Sequence, residues 1–148
     1  MADDTRSVLN DLIETSKDGE KGFTRCAEET TNPQLKSIFL EGAERCRTGA
    51  RQLQERVVAL GGKPETGGSA LGAAHRGWVD LKSAVTGRDD KAILEECERG
   101  EDVAKARYAA ALKKDLPADI RSLVEQQYKG VIANHDRVKA LRDQYRAK

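Results

Sequence analysis

The chain of 148 residues has few aromatic rings, prolines or methionines: two Phe, three Tyr, one Trp, three Pro and one Met. A core with so few rings must be built from aliphatic side chains, and so few prolines leave room for long unbroken helices. No apolar run approaches the ~20 residues needed to cross a bilayer. The opening MADDTRSVLN has neither the basic start nor the apolar stretch of a secretion signal, so a cytoplasmic location is expected. An excess of one charge is also missing. Twenty-six Lys and Arg face twenty-five Asp and Glu, which provides no basic stripe to follow a phosphate backbone and argues against a nucleic-acid partner. Cys26, Cys46 and Cys97 are odd in number, widely spaced and without CxxC spacing, which argues against a disulfide framework or zinc knuckle.

What is abundant is charge, 34% of residues, alongside Ala and Leu, the composition of a helical domain with ion-paired outer faces. The punctuation predicts four long helices and a shorter one within a single domain covering 1–148. Helix A spans about 4–30. Asn32-Pro33 then supplies an N-cap and a proline at the first position of helix B, about 33–60. LGGKPETGGS ends B through Gly61, and Ser69 caps a crossover helix over about 69–85 whose apolar positions are Leu71, Ala74, Trp78, Leu81 and Val85. Asp89 caps helix C, about 89–114, and Asp115 to Pro117 turn the chain into helix D, about 117–146. A B-to-C connection of about 27 residues is wasteful for a hairpin but suits a return along the bundle, which favours up-down-down-up order.

At 100° per residue the inward stripe of A is Leu9, Leu12, Ile13, Ser16, Glu20, Phe23 and Ala27. In B, Cys46 lies on the stripe while Glu41 and Glu44 lie off it. In C the stripe runs through Ile93, Cys97, Gly100, Ala104 and Tyr108. Glu101 falls beside it, Glu98 at its margin, and Glu95 and Asp102 face water. In D the stripe includes Tyr128 and His135. Glu20, Cys46, Glu101 and His135 therefore give one inward polar or thiol group per helix at one level, with Tyr108 and Tyr128 able to donate hydrogen bonds to them. A buried unpaired charge costs several kcal/mol, so such a layer must be paired, protonated or bound to a cation.

The strings LNDLIETSKDGEKGF, ALGGKPETGGSALGAAHRGWVDLKSAVTGRDDKAILEECERGED and HDRVKALRDQY resemble a bacterial ferritin-like four-helix-bundle family, domain of unknown function 2383. The resemblance implies an all-α ferritin-like fold and no established catalytic activity. Active ferritin-like carboxylate proteins draw one Glu from each of helices A and C and a Glu-x-x-His pair from each of B and D. Here Glu20, Glu101 and His135 match, Ile132 stands where D's Glu is expected, and Cys46 and Gly49 replace B's pair. A full di-iron centre is not expected.

The residues thus favour a non-catalytic bundle, stress-associated in role, whose polar layer is a vestige of a metal site and which needs no cofactor. The alternatives are a Zn or Fe site made by Glu20, Cys46, Glu101 and His135, with oxidoreductase or storage chemistry, and a helical module that regulates an unknown protein partner. A homodimer through an outer face is expected. Cys26, on the flank of A, is the best placed of the thiols to react. His75 and Trp78 read as packing groups of the crossover. Gly42, Gly49 and Gly100 inside helices point to close approach or a bulky neighbour.

Overall fold

The computed structural model describes residues 2–64 and 90–147. They form four helices: α1 (Ala2–Glu29), α2 (Pro33–Ala59), α3 (Asp90–Leu112) and α4 (Ala118–Ala147). The predicted crossover helix, its Ser69 and Asp89 caps, His75 and Trp78 lie outside the described residues.

The predicted punctuation has a direct physical basis. Asn32 adopts an extended backbone, and its side chain accepts from the backbone N–H of Gln34 (2.9 Å) and Leu35 (3.3 Å), with Pro33 filling a position that needs no donor. Gly61 takes φ +78 after the last turn of α2, a left-handed conformation that glycine adopts without strain. At the α3–α4 turn, Arg121 donates to the carbonyls of Leu112 (2.9 Å) and Lys114 (2.5 Å), satisfying acceptors that the end of α3 leaves open.

Side-chain bonds fix the directions. Asn10 near the start of α1 donates to the Lys63 carbonyl beyond the end of α2. Asp11 pairs with Arg107 near the end of α3, while Thr30 after α1 donates to Asp90 at the start of α3, at 2.5 Å. Arg56 and Asp119 pair across α2 and α4. Thus α1 is antiparallel to α2 and α3, and α4 is antiparallel to both α2 and α3, the predicted up-down-down-up order. The tight faces are α1–α2, α3–α4 and α1–α3, and α2 and α4 touch little.

Two apolar clusters fill the bundle. One holds Phe23, Cys26, Leu35, Phe39, Ile93 and Cys97; the other holds Leu9, Leu12, Leu53, Val57, Tyr108 and Val124. Cys26 is therefore not the flank thiol that the stripe predicts. Because α1 packs against both α2 and α3, its buried arc is wider than a single stripe and takes in Thr15, Asp18 and Cys26 as well. Cys97 is inward as expected, and burial raises its thiol pKa well above the ordinary value. Gly42 admits the Phe23 ring, whose carbons would lie 2.9 Å from a Cβ there.

Candidate functional site

Between the two apolar clusters lies a polar layer, and in it the four predicted inward residues part company. Glu20 is about one-fifth exposed and turned to the α1–α2 seam, where it accepts from Arg47 Nε at 2.8 Å, with Lys17 at 3.9 Å. It follows the buried Asp18 and Gly19 by two residues and one, at the edge of the buried arc, so the sequence stripe placed it too far inward. Cys46 is half-buried with its thiol over Gly19, where a Cβ would come within 2.9 Å of Sγ. Burial pushes this thiol up to about 12, against the opposing pull of Arg45.

Glu101 is buried, as the sequence implies, and its partner is Arg45. The guanidinium stands 3.0 Å from Oε1 and packs 5.8 Å from the centre of the Phe23 ring. Burial raises the Glu101 pKa, and the charge of Arg45 and a side-chain hydrogen bond from Asn134 oppose the rise. Tyr108, also buried, donates to Gln127 Oε1 at 2.8 Å and lies 3.4 Å from the Ser16 hydroxyl. Gln127 passes the chain on, donating to Gln52 Oε1 (3.0 Å) and the Gly49 carbonyl (3.2 Å). Tyr128 packs half-buried beside the second apolar cluster instead of joining this network. These groups line a cleft of about 320 Å³ that opens where α2 and α4 stand apart.

The two-metal centre of ferritin-like carboxylate proteins does not fit this layer. A metal ion bound to Glu101 would sit against the fixed positive charge of Arg45, and Glu20 is committed to Arg47 outside the core. Nor does the predicted set of Glu20, Cys46, Glu101 and His135 converge. His135 is buried at the α3–α4 seam and looks to α3: its Nε2 is 2.5 Å from Asp102 Oδ1 and its Nδ1 3.2 Å from Asp136 Oδ1.

That seam holds a grouping the stripe analysis missed. Glu98, Asp102 and His135 each offer a ligand atom, and these atoms lie within 4.8 Å of one another. Glu98 is buried, not marginal, and Asp102, though more than half exposed, reaches back to the imidazole. The spacing Glu98-x-x-x-Asp102 was the available signal, since i and i+4 share one face of a helix. Glu98 pairs with Arg142, which also holds Asp143 at 2.9 Å. Glu41 and Glu44, read as surface groups, are exposed and pair with Arg137 and Arg47.

No curated protein matches the chain. Among solved structures, a dodecameric thioferritin, the bacterioferritin-related protein of Bacteroides fragilis, is similar with TM-score 0.81 and 17% identity, over 99% of this chain and 89% of that one. A Dps1 mutant from Mycobacterium smegmatis gives 0.79 and 18%, over 94% and 95%. A conserved hypothetical protein of Mycobacterium tuberculosis gives 0.76 and 13%, over 95% and 96%. At such identities the likeness establishes the ferritin-like fold. The family model for a domain of unknown function, DUF2383, matches residues 4–114, three of the four described helices, and the chain belongs to that family.

Proposed function

We propose that this protein is a ferritin-like bundle that binds one divalent transition-metal ion at the α3–α4 seam through Glu98, Asp102 and His135, without the central two-metal centre of its fold. The convergence of these three ligand atoms within 4.8 Å carries the reading. Two carboxylates and an imidazole suit Zn²⁺, Fe²⁺ or Mn²⁺. Asp136 on Nδ1 holds the ring and leaves Nε2 to face the cation, the usual arrangement behind a histidine ligand. Arg142 has Asp143 as a second acceptor when Glu98 turns to the metal.

Binding or storage fits this site better than turnover, because among the described residues no nucleophile stands beside a base in the geometry that acyl or phosphoryl transfer requires. Self-association belongs to the same reading. The thioferritin of the same fold is dodecameric, and Leu40 and Val58, the large apolar side chains that α2 exposes, are five helical turns apart on one face.

Elemental analysis of untagged protein, purified without chelator and then titrated with each of the three ions, tests the proposal. About one ion per chain is expected, lost in His135→Ala and in Asp102→Ala but retained in Glu20→Ala. No stoichiometric ion under any condition, or an ion that survives both losses at the seam, would overturn it.

A further inference from the structure

We infer that the metal seam is an exchange site whose built-in competitor is the Arg142 guanidinium: it holds Glu98 in the metal-free protein, gives way when the ion arrives and returns when the ion leaves. The inference rests on the reading of Glu98, Asp102 and His135 as metal ligands and adds how the ion is taken up and let go.

Helix geometry puts Arg142 where it can compete. It follows His135 by seven residues, two turns, so both lie on one face of α4. On α3 the step from Asp102 back to Glu98 is about one turn, or about 6 Å. Because the two helices are antiparallel, that step runs forward along α4, from His135 towards Arg142. Glu98 therefore stands between two claims: a cation seated on Asp102 and His135 reaches it from one side, and Arg142 pairs with it from the other.

Glu98 needs a counter-ion in either state. Its side chain is 11% exposed and that of Arg142 14%, and a carboxylate at such depth without a partner costs several kcal/mol. The guanidinium also has a place to go. Its Nε (3.3 Å) and Nη2 (2.9 Å) both donate to Asp143 Oδ1, which leaves Nη1 for Glu98. Giving up Glu98 thus removes one contact of three, and the fork of an arginine, unlike a lysine ammonium, holds both acids at once. One cation replaces another, so the seam can release its ion without leaving a bare buried charge. The same exchange keeps the affinity below what the three ligands alone would give.

The probe is Zn²⁺. Wild type and Arg142→Gln, each as the full chain stripped of metal, are titrated against a chromophoric chelator, and release is timed after excess chelator is added. Arg142→Gln should bind about tenfold more tightly and release more slowly, since it lacks both the repelling charge and the competitor for Glu98. Arg56→Gln removes the same charge beside Asp119, about 24 Å from His135 along α4, and should stay within about twofold of wild type. An arginine that only steadied Glu98 for the metal would give the opposite sign, weaker binding in its absence. Should Arg142→Gln fold poorly, Asp143→Asn at an exposed position carries the test: the displaced guanidinium loses its acceptor, and Zn²⁺ should bind about threefold more weakly. Unchanged or weaker binding in Arg142→Gln, or unchanged or tighter binding in Asp143→Asn, overturns the exchange and leaves the three ligands standing. Zn²⁺ that binds neither wild type nor variant removes the ligand reading and the exchange together.

Discussion

Glu101 and Asp102 are consecutive residues of α3, and they face opposite halves of the bundle. Glu101 points to α2 and finds a cation built into the chain, the Arg45 guanidinium. Asp102 points to α4 and finds His135, with the carboxylate of Glu98 beside it. The first environment is closed in charge, whereas in the second Arg142 on Glu98 is outnumbered by Asp102, Asp136 and Asp143, which leaves acids in excess. A step of 100° along one helix thus separates a layer hostile to added charge from a seam that attracts a cation. The lesson is that the depth of a carboxylate does not by itself make a metal site. What decides is whether the chain has already supplied the counter-charge.

Removing Arg45 should break that contrast most strongly. Arg45→Ala leaves Glu101 buried and unpaired and should cost about 3 kcal/mol, the low end for breaking a buried pair because Arg45 is partly exposed. Chemical denaturation reads this directly. Pairing the change with Glu101→Leu should recover most of the loss, and a double variant as unstable as the single one would contradict the charge-balance account.

At the seam the stabilisation should come from outside. Metal at a hundred times its Kd should raise wild-type stability by about 2.7 kcal/mol, and His135→Ala should lose that increment while changing little in chelator. Thermal melts with and without Zn²⁺ give both numbers. A metal-dependent shift in His135→Ala equal to that of wild type would place the cation elsewhere.

Cys46 reports on the charge-averse layer from within. With its thiol raised from 9.0 to about 12, the thiolate is scarce at pH 8. Greater nucleophilicity of that thiolate offsets part of the deficit, so alkylation by iodoacetamide should run roughly fifty-fold slower than for an ordinary thiol. The rate should climb with pH without levelling off near 9, as residue-resolved mass spectrometry would show. The smallest effects separate tight packing from open space. Gly42→Ala meets the Phe23 ring at 2.9 Å and should cost about 1 kcal/mol net of helix propensity, whereas Gly49→Ala has room and should gain about 0.5–1 kcal/mol.

The helices and their order were legible in the sequence because each boundary has a local cause: the Asn32-Pro33 cap, the left-handed Gly61 and the long B-to-C connection. The burial of Glu101, Tyr108, Cys97 and His135 followed from periodicity. Periodicity failed where a helix has two neighbours, as for Cys26, and where a residue sits at the edge of the buried arc, as for Glu20 and Glu98. It is also blind to reach. Arg45 lies beside its stripe yet brings its guanidinium to Glu101, and Asp102 starts from the solvent face yet touches His135. Partners across helices depend on rotation by tens of degrees, which a one-dimensional pattern does not encode.

The turn at residues 30–32 and the Arg121-clamped turn after α3 each join helices that lie side by side. The bundle is therefore two hairpins laid together. Contacts within a hairpin close short loops and can form quickly, while those across the α1–α3 face must wait for the long connection. Folding should reach this face last, so Ser16–Tyr108 and Asp11–Arg107 are reporters of the docking step, and mutations there should change unfolding rates more than folding rates.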